Sequence, residues 1–160
     1  MDDFIQQLEI LLPLACTWAE EQERLILQFG VALTGTQLAV ARRIGVIYPE
    51  KVRLLRVRAI PPPKDPPVLA STAKDMGLIT SNTGGLTLRY GIFVRVDCWE
   101  DCNLIAHELV HTRQYEHLGS IEGFLKKYLM ECATVGYPNA PMELEAIRIA
   151  DEICSSKVIS

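Results

Sequence analysis

The chain holds three histidines in 160 residues, and two of them bracket a glutamate in the run His107-Glu108-Leu109-Val110-His111. On an α-helix, positions four apart lie about 40° apart in azimuth and one turn along the axis, so both imidazoles can aim at one point. Glu108 stands one step further round, beside that point rather than on it. Leu104, Ile105, Ala106, Leu109 and Val110 surround the trio, so the helix is expected to be buried. Such a helix has little reason to carry two imidazoles and a carboxylate unless something offsets their desolvation. One bound cation would do so. The pattern predicts zinc on His107 and His111, with Glu108 as general base toward a water at the metal. An ordinary core helix on which two histidines fell by chance leaves these polar groups unexplained.

A catalytic zinc needs a third protein ligand and an open position. His107, His111 and His117 match the spacing of the HExxHxxGxxH class, but that class turns the chain at a glycine where this sequence has Gln114. Glutamine favours a continuing helix, on which His117 would lie about 15 Å along the axis from His107 and out of reach. The better candidate lies on the last predicted helix, in Met142-Glu143-Leu144-Glu145-Ala146. Glu143 shares a face with Ala146, Ile147, Ala150 and Cys154, an apolar stripe, whereas Glu145 lies with Arg148 and Glu152. A carboxylate on the buried side calls for a cation. Glu143 is therefore the expected ligand, with Glu145 as fallback.

Apolar residues make up 49 % of the chain and charged residues 22 %, which suits one globular domain spanning 1–160. The net charge of −4 argues against a surface built for phosphates, hence against nucleic acid. No segment reads as membrane-spanning: the apolar run Ile10 to Ala19 is broken by Pro13, and crossing a bilayer takes roughly 20 residues. The start, Met1-Asp2-Asp3, is acidic where a secretion signal would be basic, so the expected location is the cytoplasm. The five cysteines form no CxxC pair and are expected to be reduced thiols. Cys98 and Cys102 sit just before the motif, but a zinc ribbon would need a second pair.

Residues 1–30 read as a helical segment broken or kinked near Pro13. A second helix runs from Thr34 or Thr36 to Gly45, and Val52 to Ile60 reads as a strand ended by Pro61-Pro62-Pro63. After the turn signal Asn82-Thr83-Gly84-Gly85, apolar residues alternate from Leu86 to Val96, with Phe93 the exception, predicting one strand over about 86–96. Asp101 or Asn103 can cap the motif helix and Gly119 can close it. Ser120 can cap a following helix, and the last spans about 142–155. Strands followed by a run of helices make an α+β pattern.

Taken with Gly91-Ile92-Phe93-Val94-Arg95, Ile105 to Tyr115 and Asn139 to Ala146, the sequence resembles a zincin-like family. It is similar to the bacterial HExxH metallopeptidase family related to the core domain of extracellular contractile injection systems, over roughly residues 33–152. The resemblance implies a gluzincin-type site of two histidines and a glutamate, with Glu108 as base and the last-helix glutamate as third ligand. It also implies a small sheet whose edge strand runs beside the motif helix.

The expected function is zinc-dependent hydrolysis of a peptide bond in a peptide or protein substrate, which could add as a strand to the 86–96 edge. Tyr115, Tyr128 and Tyr137 are candidate oxyanion donors, Tyr137 foremost because it precedes the ligand helix. The alternative is an inactive zincin-like metal-binding module serving as an interaction or scaffold protein.

Overall fold

The computed structural model describes residues 2–159, with side chains from 3 to 155. The architecture is mixed α+β. Among the described residues, six helices, α1 (Asp2–Phe29), α2 (Gly35–Ile44), α3 (Pro67–Asp75), α4 (Cys102–Leu118), α5 (Ile121–Val135) and α6 (Pro141–Ile159), surround one sheet. Its strands are β1 (Val31–Ala32), β2 (Arg53–Val57), β3 (Gly85–Leu88) and β4 (Gly91–Arg95), in the order β1-β2-β4-β3. The sheet is mixed: β2 and β4 are parallel, with Leu54 beside Ile92, and the outer pairs are antiparallel.

Helix ends follow local chemistry. Thr34 caps α2 through a reciprocal pair with Gln37, and Gly45 ends it in the left-handed conformation. Asp101 caps α4 by accepting from Leu104 N–H, Gly119 closes it at φ 83°, and Ser120 caps α5. The sheet is buried on both faces. On one face Leu54, Ile92 and Val94 pack against α2, α4 and α6 through Ile44, Ala106, Leu109, Val110, Ala146 and Ala150. On the other, Leu88 and Phe93 meet Ala19 and Ile26 of α1, Phe124 of α5 and Tyr115.

The single strand expected over 86–96 is instead a hairpin, β3 and β4, reversing at Arg89-Tyr90. Arg89 has a φ of 61°, unusual for a residue with a side chain, and tertiary contacts hold it there. Its Nε and Nη2 donate to Glu23 of α1 at 2.9 and 2.7 Å, and Tyr90 N–H donates to the same carboxylate at 3.0 Å. The reversal accounts for Phe93: paired opposite Leu86, it joins Leu86 and Leu88 on their face of the sheet. Of this hairpin only β3 lies at an edge of the sheet, opposite the edge formed by β1, and β4 lies inside.

Other expectations need similar correction. α1 runs through Pro13 without a break. Pro13 is exposed, so the carbonyl that loses its N–H partner can turn to water. The strand expected from Val52 to Ile60 is confined to Arg53–Val57. Not all the thiols are free, because Cys102 of α4 and Cys154 of α6 form a disulfide with their Cα atoms 6.3 Å apart. The two helices run antiparallel in contact, with Asn103 Nδ2 donating to Asp151 at 2.8 Å, so the start of one meets the end of the other. No helix among the described residues is long and apolar enough to cross a membrane.

Candidate metal centre

His107 and His111 lie one turn apart on α4 and face Glu143 in the first turn of α6. His107 Nε2 is 3.0 Å from Glu143 Oε1, His111 Nε2 is 3.0 Å from Glu143 Oε2, and the two Nε2 atoms are 3.2 Å apart. Among the described residues these three form the group of side chains that could hold a metal ion, with ligand atoms all within 4.8 Å of one another. Glu143 is 5 % exposed and His111 also 5 %, so neither relies on bulk water.

The orientation of His111 is fixed by a chain of hydrogen bonds. Gln114 Nε2 donates to the Met142 carbonyl at 3.0 Å and to Glu145 Oε1 at 3.1 Å. That orients the amide so that its oxygen faces His111 Nδ1, at 2.8 Å. The proton of the neutral ring then belongs on Nδ1, leaving the Nε2 lone pair directed at His107 and Glu143. Two imidazole nitrogens and a carboxylate thus converge on one buried point, a donor set that suits a divalent cation.

Without a cation the three groups must share protons. Burial alone would lower the His111 pKa, but the bonds and charge of Glu143, helped by Glu108, raise it to about 9. Glu143 is pulled the other way: burial would raise it, yet the two histidines hold it well below the usual carboxylate range. An ion in the site takes the place of that shared proton.

Glu108 is not one of the three. Its carboxylate, 6 % exposed, lines the same cavity as the cluster and accepts from Thr87 Oγ1 of β3 at 2.6 Å. The same hydroxyl lies 2.9 Å from the Glu108 main-chain carbonyl. The carboxylate also packs against Gly85, where an added Cβ would lie 2.9 Å from Glu108 Cγ. A side chain there would push against Glu108, so glycine lets β3 run this close to α4.

Glu145 lies apart from the cluster, engaged by Gln114, and His117 is exposed at the far end of α4. The three tyrosines separate by role. Tyr115 is a core residue, stacked on Phe124 with ring centroids 3.6 Å apart and donating to the Thr87 carbonyl at 3.2 Å. Tyr128 donates to Glu143 Oε2 at 2.8 Å and so steadies the carboxylate. Tyr137, in the 3-10 turn Tyr137–Asn139, lines the cavity beside Glu143 and is half-buried. Burial and the charges of Glu143 and Glu108 push its pKa up, so it remains a protonated donor.

Comparison with family models, with curated proteins and with solved structures finds no match to this chain.

The roles of Thr87 and Gln114 were not read from the sequence. Gln114 could have been, because it follows His111 by three positions and so shares its helix face. Thr87 could not, because its bond depends on the hairpin that turns β3 toward α4.

Proposed function

We propose that this chain is a zincin-like hydrolase of the gluzincin type that cleaves peptide bonds, with zinc held by His107, His111 and Glu143. The observation that carries the reading is Glu108, a carboxylate outside the ligand set, in the same cavity, with one oxygen held by Thr87. A structural metal site has no use for such a group. Zinc bound there supplies Lewis acidity, which eases deprotonation of a water and polarises a carbonyl.

The chain's own groups do the rest. Glu108 accepts the proton of the attacking water and passes it to the amide nitrogen as the C–N bond breaks. Tyr137 offers its hydroxyl to the carbonyl oxygen as charge builds there, and Tyr128 and Gln114 hold Glu143 and His111 against displacement. The outer edge of β3 supports a peptide substrate. Arg95 N–H donates to the Gly84 carbonyl and Tyr115 reaches the Thr87 carbonyl from the other side, so the main chain of Gly85 and Thr87 faces away from β4. The Thr87 carbonyl is taken by buried Tyr115, so a peptide adding there as a further strand would pair at half-buried Gly85.

The test is Glu108→Gln, with zinc content measured beside cleavage of a mixed peptide library. The hydrolase reading requires zinc retained at wild-type stoichiometry and cleavage lost. Zinc bound with no cleavage by either protein would leave an inactive metal-binding module that serves as a scaffold.

A further inference from the structure

The cluster sits at one end of a cavity of about 150 Å³. The chamber continues away from it between α1, α3, α5 and the edge strand β3. Leu11 and Trp18 of α1, Leu69 of α3, Leu86 of β3 and Leu125 and Leu129 of α5 wall it. Away from the His107, Glu108, His111 and Glu143 end, no charged group among the described residues lines it, and the polar side chains there are Gln7, Thr72 and Thr83. An apolar cavity of roughly this volume admits a benzene-sized group.

We propose that the chamber is a specificity subsite for one large uncharged apolar side chain, that of leucine, methionine or phenylalanine. This deepens the hydrolase reading and rests on it. Size sets the scale: a cavity of about 150 Å³ admits a benzene ring, close in bulk to a leucine, methionine or phenylalanine side chain. Charge sets the chemistry, because a lysine or aspartate side chain would enter with no counter-ion and lose its hydration. Position names the neighbour. Gly85 to Leu88 line the chamber as Glu108 does, so a peptide paired with β3 passes the cluster and the chamber mouth together, and the side chain beside the reacting bond falls into it.

The experiment has two parts, neither of which reads turnover. Benzene is titrated into the metal-free protein and followed by melting temperature. A saturable rise is expected, and it should vanish in Ala73→Phe, whose new ring fills the chamber from the half-buried face of α3. Glycine, leucine, phenylalanine, lysine and aspartate hydroxamates, which chelate through a common head, are then titrated into the zinc-loaded protein by calorimetry. The leucine and phenylalanine compounds should bind roughly 10- to 100-fold tighter than the glycine compound, and the charged ones no tighter than glycine. No benzene binding, a flat hydroxamate series or a preference for the charged compounds would overturn the subsite. Should Ala73→Phe fail to fold, the wild-type series alone decides. Peptide cleavage on the same samples separates the two claims: preference without cleavage removes the hydrolase and keeps the chamber, and cleavage without preference does the reverse.

Discussion

Gly85→Ala probes how tightly Glu108 is held. Gly85 does not have the positive φ that would itself penalise a side chain, so only space is at issue. The new Cβ would lie 2.9 Å from Glu108 Cγ, 3.0 Å from Oε1 and 3.1 Å from Cδ. Carbon atoms settle at about 3.5–4.0 Å, so Glu108 must retreat by about 0.6 Å or more. It has little room to do so, because Thr87 Oγ1 grips Oε2 at 2.6 Å and β3 is fixed to β4 through Leu86 opposite Phe93. Overpacking of this kind destabilises by about 1–3 kcal/mol, or roughly 2–4 °C in melting temperature for each kcal/mol at this chain length. Displacing the general base should slow peptide hydrolysis by roughly 10²-fold, with zinc stoichiometry unchanged. Thermal and urea denaturation, cleavage rate and metal content are measured together. Gly35→Ala, with nothing within 4 Å of its added Cβ, is the control. It should be neutral or stabilising, by up to about 1 kcal/mol. A Gly85→Ala protein with wild-type melting and wild-type turnover would refute the reasoning.

Further outcomes follow from contacts described above. Glu143→Ala should lose zinc while His117→Ala keeps it, read as metal content after dialysis; retention by Glu143→Ala would move the third ligand elsewhere. Gln114→Leu should fold but bind zinc roughly 10- to 100-fold more weakly, because His111 Nδ1 loses the acceptor that fixes its tautomer. Glu23→Ala should cost about 1.5–3 kcal/mol in urea denaturation, since three charge-assisted bonds to the hairpin turn are lost and the Tyr90 N–H is stranded. Reducing the Cys102–Cys154 bond, or replacing Cys154 by serine, should lower stability by about 2–4 kcal/mol on the same assay.

What the sequence made legible was chemistry that acts over one helical turn. The convergence of His107 and His111 follows from their spacing. The caps at Thr34, Asp101 and Ser120 and the closures at Gly45 and Gly119 follow from residue types whose preferences need no tertiary partner. Glu143 was preferred over Glu145 because the amphipathic pattern separated a buried from a solvated side, and in the structure Glu143 faces the histidines. What escaped depends on partners distant in sequence. The turn at Arg89-Tyr90 carries neither asparagine nor glycine, and its geometry is enforced by Glu23, 66 residues away from Arg89. Alternation of apolar residues passes through such a turn unchanged, so a hairpin imitates one long strand. α3 begins at Pro67 with no capping side chain to announce it. The Cys102–Cys154 pairing arises only once α4 and α6 lie antiparallel.

That crosslink changes what local motion can do to the cluster. Residues 102 and 154 are bound together outside the histidine–glutamate contacts, and α5, one wall of the apolar chamber, belongs to the stretch of chain between them. This stretch is tethered like a handle riveted at both ends. The rivet keeps the two helices that carry the donors in register, while Tyr128 ties α5 to Glu143 at 2.8 Å. A shift of the chamber wall is therefore felt at the third donor, and access and coordination, which share one small cavity, are mechanically coupled.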